Sequence, residues 1–269
     1  MSRKVRLDVH MLTNGLADSR QKATQLIRAG KVKDLNGQIL DKPGKQIDKD
    51  AQLIVQNPPR FVSRGGEKLV AGIVQFNINV KDKICLDCGI STGGFTDCLL
   101  QYGASKVYGV DVGYGQTAWN IRNNPRVKLL ERTNIRYLNC ADLYEEGDKK
   151  AEFFVLDLSF ISIKLVLSNI TSLLMKENRE GLILIKPQFE VGKSKVGKNG
   201  VVRDVQSHYE VIQNVIKNSQ ELGWNTKGLI ASPIKGPAGN NEYLLWISSS
   251  NQENFIPNVL NLVKTTLKD

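Results

Sequence analysis

A glycine-rich turn, Asp87-Cys88-Gly89-Ile90-Ser91-Thr92-Gly93-Gly94-Phe95-Thr96, follows an apolar run and leads into a helix-forming stretch. Glycine lacks Cβ and tolerates positive φ, so such a turn lets main chain approach a cofactor. Asp111 lies 22 residues after Gly89, at the end of the next apolar run. A carboxylate there can accept hydrogen bonds from ribose hydroxyls. Four more polar positions fall where a crevice at the ends of parallel strands would form. Lys68 lies in Ser63-Arg64-Gly65-Gly66-Glu67-Lys68-Leu69, Asp157 ends Phe153–Leu156, Lys186 ends Gly181–Ile185, and Glu242 opens the last β-rich run.

The composition of the turn narrows its cofactor. A phosphate-binding loop ends in Gly-Lys-Ser/Thr, and no lysine occurs between residues 84 and 105. A dinucleotide site prefers G-x-G-x-x-G, and Ser91 stands where the second glycine would approach pyrophosphate. S-adenosylmethionine, a nucleoside cofactor without phosphates, fits better. Asp87 and the loop would hold its amino-acid end, and Asp111 its ribose. Gly89-x-Ser91-x-Gly93 also matches a nucleophile elbow, with Asp157 and His208 following in hydrolase order. That fold needs several strands ahead of its elbow, and only about 25 residues separate Pro59 from this one. Cys85-x-x-Cys88 suggests metal only superficially. Residues three apart on a strand face opposite ways, and His10 and His208 have no paired-ligand spacing, so no metal site is expected.

The elements that must position these groups are legible as alternation. Strands are expected at Ile84–Cys88, 106–112, 127–131, 153–158, 181–186, 227–232 and 242–248, with helices at 94–102, 164–174, 207–222 and 256–267. Such alternation implies an α/β fold, a mostly parallel sheet covered on both faces, with ligands at the strand C-terminal ends. The 269 residues are 41% hydrophobic, enough for a core and against wholesale disorder. Apolar runs stay far below the ~20 residues that span a bilayer, and no signal-peptide core follows Met1-Ser2-Arg3-Lys4. Four cysteines are too few for a disulfide scaffold. A cytoplasmic protein without membrane contact is expected, by default a monomer.

Charge divides the chain. Of the net +10, residues 1–60 carry 12 Lys+Arg against 6 Asp+Glu, a net of +6, and the other 209 carry +4. The N-terminal part therefore reads as a small basic α+β module, with the Pro58-Pro59 pair marking its boundary. Leu7, Val9, Met11 and Leu12 give a short apolar face. Ser19 caps a second helix, 20–28, that Gly30 stops, and Asn36-Gly37 turns the chain toward Leu53-Ile54-Val55. Arg6, Arg20, Lys22, Arg28, Lys31 and Lys33 lie in or beside these helices. A second basic stretch, Gly192–Gly200 with Lys193, Lys195 and Lys198, is either a flap over an RNA backbone or a solvated excursion.

The pattern Arg6-Leu7-Asp8 … Ser19-Arg20-x-x-Ala23-x-x-x-Ile27-x-x-Gly30-x-Val32 resembles the S4 RNA-binding domain. The Asp87–Thr96 turn, Ser63–Leu69, Val110–Gln116, Glu131-Arg132-Thr133-Asn134, Asp157–Ser162, Lys186-Pro187-Gln188-Phe189-Glu190 and Ser232–Glu242 together resemble the TlyA family. Cys88 and Ile90 stand where that family more often has Val and Ala. The resemblance implies an S4 domain at 1–57, a connector at 58–63, and at 64–269 a Rossmann-like, seven-stranded FtsJ-like methyltransferase domain. It implies S-adenosylmethionine as cofactor, bound by Asp87, Gly89, Ser91, Thr92, Gly93, Gly94, Phe95, Asp111, Asn134 and Asp157. It implies ribosomal RNA or a ribosomal subunit as partner, gripped by the S4 cations, Arg64 and the 192–200 loop, and 2′-O-methylation of cytidine as the reaction. The start ahead of Arg6 resembles the family's longer form, which implies small- and/or large-subunit RNA as target.

The family's Lys-Asp-Lys-Glu tetrad maps onto Lys68, Asp157, Lys186 and Glu242. Lys186 is then the expected base, with Asp157 and Lys68 as electrostatic partners and Glu242 as positioner. A catalytically dead RNA-binding assembly factor and a membrane-active haemolysin are the competing expectations. The intact turn and four polar positions oppose the first; the lack of a spanning or long amphipathic basic helix opposes the second.

Overall fold

The computed structural model describes residues 4–56, 59–192, 195–250, 255 and 257–268. Its contacts divide the chain into a unit over Met1–Pro59 and a unit over Arg60–Asp269.

The first unit runs β1 (Lys4–Arg6), α1 (Leu7–Thr13), α2 (Arg20–Arg28), β2 (Val32–Asp34), β3 (Gln46–Asp48) and β4 (Leu53–Val55). β1 pairs with β3 and β2 with β4, both antiparallel. Ser19 caps α2 by accepting from Lys22 N at 3.1 Å, and Gly37 takes φ +81° in the turn after β2. Leu7 and Met11, one helical turn apart, are buried with Leu26 and Ile27 of α2. Val9 and Leu12, expected on the same face, point outward instead, and Asp8 and His10 are buried. The register of a seven-residue helix cannot present all four apolar residues to one neighbour.

Asp8 is buried because two arginines meet it. Arg6 is bidentate to the carboxylate at 3.0 and 2.9 Å, and Arg20 Nε donates at 3.0 Å. Both guanidiniums expected to grip RNA are thus held in place by one carboxylate, while Lys22 and Arg28 are exposed and Lys31 and Lys33 half-buried.

The second unit opens with α3 (Gly65–Gln75) and then alternates β5 (Ile84–Cys88), α4 (Gly94–Gln101), β6 (Lys106–Val110), α5 (Trp119–Arg122), β7 (Val127–Leu130), α6 (Cys140–Leu143), β8 (Phe153–Leu156), α7 (Leu167–Leu173), β9 (Glu180–Ile185), α8 (Pro187–Glu190) and α9 (Val205–Glu221). It closes with β10 (Asn225–Ala231), β11 (Tyr243–Ser248) and α10 (Val259–Thr266). Among the described residues these strands form one seven-stranded sheet in the order β10-β11-β9-β8-β5-β6-β7. Five strands are parallel; β11 pairs antiparallel with β9 and β10. This is the mostly parallel sheet that the alternation predicts.

Alternate strand residues feed two cores. Leu86, Cys88, Phe154 and Leu156 pack with α7 and α9; Cys85, Phe153 and Val155 pack with α3 and α4. Cys85 and Cys88 accordingly sit in different cores, and no metal-ligand cluster occurs among the described residues. Helix α3 escapes a pattern reading because Gly65-Gly66 and Gly72 look like breakers. They are packing requirements: a Cβ on Gly66 would overlap the Phe61 ring, and one on Gly72 would press on Leu182 of β9. Part of the expected connector belongs to this unit. Phe61 is buried beneath α3, and Val62 N donates to Asp97 Oδ2 at 2.8 Å.

Arg6 holds the Asp8 carboxyl at about 2, well below its ordinary 3.8. That ionised form stabilises the fold above about pH 4, and the contribution is lost as pH falls toward about 2. Asp8→Asn is expected to lower the Tm at neutral pH, with the gap to the unmodified protein closing over that acid range in scans of the two proteins.

Candidate active site

β5 and β8 are parallel neighbours registered Cys88 to Leu156, which sets their C-terminal ends side by side. Asp157 N donates to Cys88 O at 3.0 Å. Gly89 then turns at φ +94°, and a Cβ there would lie 2.5 Å from the Asp157 carbonyl oxygen. Only glycine meets both the conformation and the clearance. Ser91 and Gly93 continue the turn at φ +48° and +98°, and Gly93 opens α4.

Asp111, at the end of β6, fastens the turn. Its Oδ2 accepts from Ser91 N at 2.8 Å and its Oδ1 from Gly113 N at 2.7 Å. Each carboxylate oxygen retains a further lone pair for a ligand hydroxyl. Gly89, Ser91 and Asp157 line two cavities at once. One, of about 280 Å³, has Asp111, Val112, Ile135 and Leu158 in its wall. The other, of about 480 Å³, has Arg64, Lys68, Thr92, Phe95, Lys186 and Lys235.

The four singled-out polar residues meet as two crossed pairs. Lys68 Nζ donates to Glu242 Oε2 at 2.5 Å, and Lys186 Nζ lies 2.5 Å from Asp157 Oδ1. The second is an ion pair without hydrogen-bond geometry. Lys186 gives a hydrogen bond to Ser159 Oγ at 3.1 Å instead, and Asp157 Oδ1 has no hydrogen-bond donor. Gln188 Nε2 donates to the other Glu242 oxygen at 3.3 Å. Glu190 accepts from Ser162 Oγ and Ile163 N at 2.7 and 2.8 Å, tying α8 to the segment after Asp157. Burial raises the Glu190 carboxyl above its ordinary value. Ser159, Gln188 and Glu190 were not singled out individually in the sequence; their signal was membership of the Asp157–Ser162 and Lys186–Glu190 segments.

Other expected residues sit differently. Asn134 does not enter either cavity wall: its Oδ1 accepts from Arg136 N at 3.0 Å in a local turn, and Thr133 and Ile135 line the space. Gly93 serves the turn and meets Ile121. Arg64 donates to Lys235 O at 2.8 Å at the cavity mouth. Lys195 pairs with Glu210 at 2.8 Å, while Lys193 and the Lys198 side chain lie outside the described residues. His208 is a buried core residue. Its Nε2 faces Val202 O, so that nitrogen donates and Nδ1 accepts from the Tyr243 hydroxyl at 2.8 Å. Burial lowers its pKa, and with both nitrogens engaged it serves no nucleophile elbow.

Asp87 is fully buried. Oδ2 accepts from Thr96 Oγ1 at 2.7 Å, Oδ1 has no donor, and burial pushes the carboxyl up to about 7. Asp87 lines neither cavity, but its orphaned oxygen lies beneath the glycine turn, and the cavity beside that turn sets Asp111 among Val110, Val112, Ile135 and Leu158, a setting that suits a ligand with an ammonium, a ribose and a flat base. S-adenosylmethionine has all three.

A mostly parallel sheet with such a turn at its centre is the architecture of S-adenosylmethionine-dependent methyltransferases, and the family match places the chain among them. The FtsJ-like methyltransferase family matches residues 61–249 and the S4 domain residues 5–53. The chain belongs to the FtsJ-like methyltransferases that carry an S4 domain, the TlyA family. It is 45% identical over 249 residues to the 16S/23S rRNA (cytidine-2′-O)-methyltransferase TlyA of Mycobacterium tuberculosis, covering 92% of this chain and 91% of that one. A Bacillus subtilis protein provisionally described as an rRNA methyltransferase is 49% identical over 91% of this chain and 85% of its own. A solved structure from Streptococcus thermophilus, provisionally described as a hemolysin, superposes with a TM-score of 0.74 at 38% identity, over 100% of this chain and 97% of that one.

Two measurements probe the turn. Gly89→Ala is expected to weaken S-adenosylmethionine binding at least about tenfold by calorimetry, a loss of ~1.4 kcal/mol. Because the folded Asp87 carboxyl holds its proton up to about 7 and the unfolded one only to near 3.8, the native state loses stability as pH rises between those values. Asp87→Asn is expected to raise the Tm at pH 8, with the gain shrinking toward pH 5.

Proposed function

We propose that this chain methylates the 2′-hydroxyl of cytidine in ribosomal RNA, acting as a monomer in the cytoplasm, with the S4 unit supplying RNA affinity. The observation that carries the reading is the Lys186–Asp157 pair on a cavity wall that also contains the cofactor turn. S-adenosylmethionine, when bound, supplies an electrophilic methyl group on a sulfonium centre. Lys186 Nζ, having first released one proton to solvent, accepts the hydroxyl proton, and Asp157 holds the ammonium that results. Ser159 Oγ, accepting from Nζ at 3.1 Å, aims it. Lys68 and Glu242 form the buried wall behind, fixed further by Gln188. Orientation of the hydroxyl by these fixed groups supplies much of the catalysis.

Two features favour a nucleotide as substrate. Phe160, in the wall of the 280 Å³ cavity, is 90% exposed at φ +65° with its ring 4.8 Å from that of Phe189, an exposed aromatic surface on which an unstacked base can stack. The relative from M. tuberculosis is named for cytidine 2′-O-methylation of 16S and 23S rRNA, and the four tetrad positions have the residue types that reaction needs. No observation favours membrane lysis; among the described residues no helix is long and apolar enough to cross a membrane.

The test supplies methyl-labelled S-adenosylmethionine and ribosomal subunits from cells lacking the modification, then digests the RNA to nucleosides. Label in 2′-O-methylcytidine is the expected result. Binding without label favours an assembly factor, and label on a base contradicts the reaction. Lys186→Ala is expected to slow transfer at least about 100-fold while retaining cofactor affinity. A rate near that of the unmodified protein would remove Lys186 as the base.

A further inference from the structure

The cavity mouth carries charge that its walls do not balance. Lys68 is paired with Glu242 and Lys186 with Asp157, so those four groups sum to zero. Arg64 and Lys235 add +2 at the rim of the same cavity. The hydrogen bond that Arg64 makes goes to a neutral carbonyl, and among the described residues no carboxylate lies within 4.0 Å of the Lys235 ammonium.

Lys235 is also held unusually well for an exposed lysine. It sits in the turn between β10 and β11, where Ser232 Oγ donates to Ile234 O at 2.8 Å and Arg64 to Lys235 O at 2.8 Å. The next residue, Gly236, donates its N–H to Asn240 O at 2.8 Å, and a Cβ there would lie 2.5 Å from Glu242 Oε1. Asn240 is itself buried, donating to Gly200 O and accepting from Val202 N at 2.8 and 3.0 Å. The backbone beside Lys235 is thereby held by Arg64 and Asn240 and passes close to Glu242, while its four-carbon stem carries the ammonium to the mouth.

We propose that Lys235 binds a phosphodiester of the RNA strand beside the reacting ribose, an inference that rests on the function proposed above. A rim of uncompensated +2 suits a polyanion, and a nucleotide in the cavity brings a phosphodiester on each side of its ribose. A lysine ammonium is a point charge that grips phosphate without reading sequence, so its work is to hold the strand at the cavity mouth. The competing anion is the carboxylate of the cofactor. Lys235 is exposed at the mouth, in the path of an entering strand, whereas the glycine turn forms the cofactor's own seat.

The experiment compares Lys235→Ala, Lys235→Glu and Lys235→Arg in the full chain with ribosomal subunits as substrate. At moderate salt, Lys235→Ala is expected to raise the half-saturating subunit concentration about five- to tenfold, Lys235→Glu further, and Lys235→Arg little. The salt dependence of binding should lose about one unit of slope in the alanine variant. Cofactor affinity and the rate at saturating subunit should stay within about twofold. Unchanged half-saturation in both Lys235→Ala and Lys235→Glu overturns the proposal. So does a parallel fall in cofactor affinity, which assigns Lys235 to the cofactor carboxylate. A lower saturating rate that Lys235→Arg fails to rescue also overturns it, by making the turn a support for Glu242. If the unmodified protein labels no RNA, the proposed function itself fails; if it labels RNA and Lys235→Glu behaves identically, this inference alone fails.

Discussion

The approach of Gly89 to the carbonyl of Asp157 is the contact on which the site depends. Two parallel strands end there, one delivering the cofactor turn and the other the carboxylate that holds Lys186. A methyl donor and a proton acceptor must stand within a few ångströms and in line, and a loose arrangement forfeits most of the advantage of orientation. Here the alignment is carried by main chain. Asp157 N is bonded to Cys88 O, and the absent Cβ of Gly89 lets the strands close. Asp111, bonded to two backbone N–H groups, keeps the turn open toward its cavity.

The two lysine–carboxylate pairs share chemistry but not environment. Lys68 and Glu242 have side chains 9% and 1% exposed, whereas those of Lys186 and Asp157 are 12% and 23% exposed. A buried ion pair contributes little net stability, but removing one partner is costly, so Lys68–Glu242 acts best as a fixed wall. Both lysines line the cavity, and what sets the Lys186–Asp157 pair apart is its carboxylate, which is far more exposed than that of Glu242. In the S4 unit the same device recurs as Asp8 between Arg6 and Arg20, where a buried carboxylate fixes two half-exposed guanidiniums.

Much of the sheet was legible in the sequence because strands covered on both faces read as unbroken apolar runs, and Phe153–Leu156 and Gly181–Ile185 are such runs. The cofactor turn was legible because glycines are placed by backbone need. Helix α3 was not, since Gly65, Gly66 and Gly72 answer to Phe95, Phe61 and Leu182, neighbours that only the fold brings near. The local turn that Asn134 caps was not legible, because a side chain capping its own turn and one facing a cavity have the same sequence pattern. The pairing of Lys68 with Glu242 spans 174 residues, and nothing local distinguishes it from a pairing with Asp157. Val9 and Leu12 failed for a smaller reason: a seven-residue helix has too few turns for periodicity to choose its face.

The most direct measurement is a crystal structure of the full chain with S-adenosylhomocysteine. The expected density has the nucleoside in the 280 Å³ cavity with its ribose on Asp111, and the sulfur over Gly89 facing Lys186 and Asp157. A nucleoside seated outside that cavity, or a sulfur turned away from the Lys186–Asp157 pair, would contradict the alignment on which the catalytic reading rests.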